Sequence, residues 1–157
     1  MEKLKQEMNL GKLRILWFAL LFSHALYGVV LNFVIEQNTN PPGEISPGVI
    51  SAVTTLAVVV FFAAIFLPRF ILNVAKENLR KRSGGTDISY TKIEDLMILF
   101  APGFIIRLAL LEAVAMFGFV LAFMHKDIDF FIPFATASVF AYFLNYPTEE
   151  KIKRAFK

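Results

Sequence analysis

Four long apolar runs, at 15–35, 49–67, 104–124 and 130–146, constrain this chain more than any other feature. A helix that crosses a bilayer needs ~20 mostly apolar residues, or about 17–25 with tilt. Each run meets that length, and none alternates with the period of two that a membrane β-barrel would require. Composition agrees. Of 157 residues, 57% are hydrophobic and 18% charged, against roughly 45–50% and about 25% in an average soluble domain. Eighteen Phe and no Cys exclude a disordered chain, a disulfide-stapled secreted module and a thiolate metal site. The expected fold is an all-α integral membrane protein in a single membrane domain with four transmembrane helices.

Lys and Arg set the expected orientation, because they accumulate in cytoplasmic segments. The N-terminal segment holds Lys3, Lys5, Lys12 and Arg14, and the C-terminal one Lys151, Lys153, Arg154 and Lys157. The connector 69–103 adds Arg69, Lys76, Arg80, Lys81, Arg82 and Lys92. The loop between the first two runs, EQNTNPPGEISPG, has none, and the short loop HKDID has only Lys126. Fourteen of the sixteen basic residues thus fall on one side. Both termini and the connector are expected in the cytoplasm, in the manner of a bacterial inner-membrane protein. The net charge of +3 therefore reflects topology, and nucleic acid is not an expected partner. Membrane lipid is one, and Arg80, Lys81 and Arg82 are placed to meet anionic head groups. The basic start, the apolar ILWFALLF and the triplet Ser23-His24-Ala25 resemble a cleavable signal peptide. The apolar run continues unbroken to Ile35, however, so it reads as a signal anchor.

The connector is expected to be partly helical. RFILNVAKENLRKR spaces Phe70, Ile71, Val74 and Leu79 along one helix face, and Ser83-Gly84-Gly85 stops it. Thr91 with Glu94 makes a capping box for a short interfacial helix. Pro102-Gly103 is expected to break or kink the chain before the third span. At the C-terminus Thr148 can cap a helix whose acids come first and bases last.

Shifting the chain by 90 positions lays span one on span three. Over 16–34 against 106–124, eight of nineteen positions are identical. The spans run in the same direction, so the expected architecture is two repeated hairpins.

Ionisable groups inside hydrocarbon cost about 2.5–3.5 kcal/mol on insertion scales. Arg107 lies about one turn inside and can snorkel to the interface as an anchor. Glu112 is about 12 Å in, at 1.5 Å per residue, and too short to escape. His24 lies at a comparable depth in span one. Glu112 borders a strip of Ala115, Gly118 and Ala122, and His24 one of Ala25, Gly28 and Asn32. Small residues admit another helix, so the two faces are expected to meet with His24 paired to Glu112. Thr54, Thr55, Thr136 and Ser138 lie at depths that could extend the polar cluster. Two roles are open. Glu112 can be a neutral, hydrogen-bonded acid that holds helices in register, or an ion or proton site.

The stretch LALLEAVAMFGFVLAF resembles the carboxylate helix of the ring-forming proteolipids (subunit c or K) of F-type and V-type rotary ATPases. Glu112-Ala113, Phe117-Gly118 and Val120-Leu121-Ala122 carry the likeness, which covers about twenty residues. It implies a four-span duplicated subunit in which Glu112 carries the ion. Spans two and four have no Gly-x-Gly-x-Gly run, and Phe22 stands where a first-repeat acid would be.

The expected function is a small multi-pass membrane subunit, oligomeric or bound to other membrane subunits, without enzymatic chemistry or cofactor. The alternative is proteolipid-like proton or ion translocation through Glu112. No H-E-x-x-H or glycine-rich phosphate loop occurs. His125 with Asp127 and Asp129 reads as a solvated loop rather than a metal site.

Overall fold

The computed structural model describes residues 10–37, 45–82 and 93–156. Among these there are five α-helices and no strand: α1 Leu10–Gln37, α2 Pro47–Arg82, α3 Ile93–His125, α4 Ile132–Leu144 and α5 Glu149–Ala155. Three of them are long and apolar enough to cross a membrane: α1, the Pro47–Asn78 part of α2 and the Leu96–His125 part of α3. Their outward faces suit lipid, with Ile15 70% exposed, Phe22 64% and Phe66 61%. In water such faces would be an aggregation hazard.

The fourth apolar run folds differently from a single span. A 3-10 turn, Ile128–Phe130, opens it, and Asp127 caps that turn by accepting from the Asp129 amide at 2.9 Å. The α4 helix that follows has 13 residues, about 20 Å at 1.5 Å per residue, against a hydrocarbon core of ~30 Å. After Asn145 the chain bends by 84° into α5. Pro147 cannot continue a helix, and Thr148 starts the next one by accepting from the Lys151 amide at 3.3 Å.

Pro102-Gly103 does not interrupt the chain as the sequence predicts. The helix runs through it from Ile93 to His125. Pro102 sits on the exposed face while Leu96, Met97, Ala101 and Phe104 are buried on either side. The loss of one backbone hydrogen bond is offset by packing along the whole face. Gly103 lies against α2, where a Cβ would come within 3.1 Å of the Pro68 carbonyl. Likewise α2 continues through Pro68 to Arg82. Thr91, Ser83-Gly84-Gly85 and the side chains of Arg80, Arg82 and Glu94 lie outside the described residues, and Lys81 is exposed beside Glu77.

The hub is α3, which packs against α2, α4, α1 and α5, whereas α1 and α2 hardly touch. The two halves of the expected repeat are therefore packed differently. Of the residues matched by the 90-residue shift, Leu31 and Leu121 are both buried, but Ala25 is exposed and Ala115 buried. On the small strip of α3, Ala115 is buried, Ala122 is buried with Leu31 of α1 and Phe131, and a Cβ on Gly118 would fall 2.6 Å from Phe134 Cβ of α4. Only glycine fits that crossing. Gly28 of α1 faces the Phe131 ring more loosely, at 3.8 Å.

One end of the bundle is closed by aromatic and basic groups. Trp17 Nε1 donates to the Tyr142 carbonyl at 2.9 Å and stands edge-on to Phe18, Phe143 and Tyr146. Arg14 lies over the Tyr146 ring, and Lys76 Nζ donates to the Ala155 carbonyl. At the opposite end His125 stacks on Phe130 at 4.2 Å. Asp127 is engaged in its cap, and no group of three metal-ligating side chains occurs among the described residues.

Candidate functional site

Three helices bring six polar side chains together at mid-bundle. Ser23 and Tyr27 are four residues apart on α1 and so share a face, with His24 beside them. Ser138 and Tyr142 have the same spacing on α4, and Glu112 comes from α3. His24 is 5% exposed and Ser138 and Tyr142 fully buried, while the Glu112 side chain retains 15%.

Glu112 is held by its own chain on both oxygens. Oε1 lies 2.5 Å from the Ser23 hydroxyl and 2.5 Å from the Tyr27 hydroxyl. Oε2 is 3.5 Å from His24 Nδ1 and 3.4 Å from the Tyr142 hydroxyl. His24 Nδ1 also lies 2.9 Å from the Leu20 carbonyl, and Nε2 is 2.8 Å from Ser138 Oγ. The Ser138 and Tyr142 hydroxyls approach α3 carbonyls, of Leu111 at 2.7 Å and Leu108 at 2.9 Å. Unpaired polar groups in such surroundings are costly, and this cluster leaves none of its side chains without a partner.

Donor and acceptor rules limit where the protons are. A carbonyl only accepts, so His24 Nδ1 carries a proton toward Leu20. Ser23 has one hydroxyl proton but lies within 2.6 Å of the Leu20 carbonyl as well as 2.5 Å of Glu112. Ser138 is in the same position between Leu111 and His24. Seven contacts of 2.9 Å or less link the cluster, each needing one proton. An ionised Glu112 with a neutral His24 supplies five: four hydroxyl protons and Nδ1–H. A sixth, on Glu112 or on His24 Nε2, makes the cluster electrically neutral. Filling all seven leaves a positive charge. Low dielectric penalises a net charge, so the neutral cluster is one proton short and has two places to hold the sixth.

Acid, histidine and serine stand in the order of a hydrolase triad, but the surroundings differ from one. His24 Nδ1 is closer to Leu20 than to Glu112, and Ser138 Oγ is enclosed and bonded to Leu111. Backbone N–H groups inside α4 are used by the helix, so none converges on that oxygen as an oxyanion hole.

Of the residues singled out by depth in the apolar runs, the structure gathers His24, Glu112 and Ser138. Thr54, Thr55 and Thr136 are exposed: Thr54 lines an apolar groove with Phe61 and Phe134, Thr136 lines one beside Ala25, and Thr55 bonds its own helix at the Ser51 carbonyl. Depth fixes only the level along a helix; the direction around the axis keeps these three out of the hydrogen-bonded cluster. Ser23, Tyr27 and Tyr142 are members that depth and charge did not reveal. Their signal was the four-residue spacing to another polar residue in an apolar run.

Arg107 belongs to another place. Its Nε donates to the Ala64 carbonyl at 3.2 Å and Nη1 to Asn145 Oδ1 at 2.7 Å. Rather than simply reaching outward, it is tethered between α2 and α4. No known family, curated protein or solved structure matches this chain.

Proposed function

We propose that this chain is a small multi-pass membrane subunit built around a proton-holding pair, Glu112 and His24. The observation that carries the reading is the neutral cluster's shortage of one proton, with two alternative sites for the sixth. Ionisable groups deep in a membrane protein mark proton and ion sites. The carboxylate is surrounded by hydroxyls and an imidazole of its own chain, which suits a proton better than a metal cation wanting several open oxygen ligands. A proteolipid-like ring would share Glu112 with a neighbouring subunit. The enclosed carboxylate instead supports proton holding within one chain, with the exposed outer faces left to lipid or to other subunits.

Infrared difference spectroscopy of the full chain in lipid nanodiscs tests this. A protonated-carboxyl band is expected, lost in Glu112→Gln and changed in intensity in His24→Gln, which removes the second place for the sixth proton. A carboxyl band unchanged by His24→Gln would overturn it, and Glu112 would then serve only to hold α1, α3 and α4 in register.

In this reading the chain crosses a bacterial inner membrane four times, with α4 and its bent continuation as the fourth crossing. Both termini are cytoplasmic, in keeping with the basic residues at that end. The absence of native Cys makes the topology measurable. With single variants Ser46→Cys and Thr148→Cys, a membrane-impermeant maleimide is expected to label the first from outside and the second only from the cytoplasmic side. Labelling of both from one side contradicts the four-crossing arrangement.

A further inference from the structure

A second polar site lies at the basic end, separate from the Glu112 cluster. Residues 68–73 within α2, residues 100–107 within α3, the C-terminal end of α4 and α5 line a cavity of about 510 Å³, whose polar lining includes Arg69, Asn73, Arg107, Asn145, Lys151 and Arg154. No carboxylate is among the described residues lining it. Arg154 has an exposed partner in Glu150, at 3.7 Å. Arg69 instead bears on Arg107 as a like charge. Two converging cations without a facing acid repel each other, and the repulsion is relieved by an anion between them.

The cavity is built for such an occupant. The Ala64 carbonyl and Asn145 fix the Arg107 guanidinium by two of its five N–H donors. The others remain for a planar or tetrahedral oxyanion, which a guanidinium grips through paired bonds. Lys151 Nζ is anchored on the Leu144 and Tyr146 carbonyls at 2.8 and 3.1 Å, which fixes a further charge at the rim. Phe100 and Phe104 complete an apolar wall. Basic pockets between helices at a membrane surface recognise phosphate head groups in this way.

We propose that this cavity binds a phosphate group, with Arg107 as the oriented donor and Arg69 as the second charge. The phosphate belongs either to an anionic phospholipid or to a soluble phosphate compound, and the apolar wall accommodates the former. The test uses the full chain in neutral detergent, with short-chain phosphatidylglycerol, short-chain phosphatidylcholine and inorganic phosphate as separate probes in native mass spectrometry. Phosphatidylglycerol is expected to bind about tenfold more tightly than phosphatidylcholine. Arg69→Gln and Arg107→Gln should each weaken it by about tenfold, the loss of one charge-assisted contact. Lys153→Gln, at the same end but outside the cavity, should leave it unchanged. Saturable inorganic phosphate binding lost in the same two variants would assign the site to a soluble phosphate. Lipid binding insensitive to Arg69→Gln and Arg107→Gln with no phosphate binding, or equal effects of Arg69→Gln and Lys153→Gln, would overturn the proposal. Arg69 is exposed, so that variant keeps the test valid if Arg107→Gln fails to fold.

Discussion

Truncating Tyr142 to alanine is expected to cost about 3–5 kcal/mol of folded-state stability, the range of large-to-small changes at sites that cannot collapse. Tyr142 is fully buried, and its ring lies beside both Trp17 and His24. Helices in a membrane gain little from hydrophobic burial against one another, because lipid tails are as apolar as the interface. What remains is close packing, and a hole beside Trp17 and His24 forfeits many small dispersion contacts at once. Tyr142→Phe separates the two contributions. It keeps the ring and loses only the hydroxyl bond to Leu108 and the longer contact to Glu112, so about 1 kcal/mol is expected. Unfolding by SDS in mixed micelles, followed through the fluorescence of Trp17, measures both. A Tyr142→Ala variant as stable as Tyr142→Phe would mean that the ring is not packed as described.

Glu112→Ala is expected to have an effect of similar size, about 3–5 kcal/mol, for a different reason. Removing one partner of a buried polar set leaves the others desolvated and unpaired. Here the orphans are the Tyr27 hydroxyl, one direction of the Ser23 hydroxyl and the side of His24 facing α3. Glu112→Gln is expected to cost far less, about 1 kcal/mol, since an amide oxygen can still accept from Ser23 and Tyr27. The cycle of Glu112→Ala with Tyr27→Phe should be non-additive, because Tyr27→Phe removes one of the groups that Glu112→Ala strands. The same micelle titration reads all four proteins. Additive losses would show that Tyr27 and Glu112 do not act on each other.

Three helices were legible in the sequence because a bilayer-length apolar run has few other ways to satisfy its backbone. The meeting of His24 and Glu112 was also legible, from equal depth; of the flanking small residues, Gly118 instead meets Phe134 of α4 and Ala25 is exposed. Ser23, Tyr27 and Tyr142 escaped notice for a physical reason: hydroxyl-bearing residues fit into an apolar run without marking it, and only their partners give them meaning. Thr54, Thr55 and Thr136 erred in the opposite direction, since a helix position has a bearing as well as a height. Pro102 is a local signal overruled by tertiary packing, through the flush contact of Gly103 with Pro68. The fourth run was apolar for seventeen residues, yet α4 takes only 13 of them, between the 3-10 turn that ends at Phe130 and the Asn145 cap.

The scarcity of contact between α1 and α2 bears on how the chain is made. Translation delivers α1 and α2 first, and neither offers the other a seat. The ribosome must complete α3 before α2 has a partner, and α4 before Ser138 and Tyr142 can meet the α1 side of the cluster. During that interval His24 waits beside lipid, the insertion machinery or another chain, with neither Glu112 nor Ser138 yet in place. Maturation is thus a late event that joins α1 and α4 across α3, and a nascent chain stopped before α3 lacks the element on which the others pack.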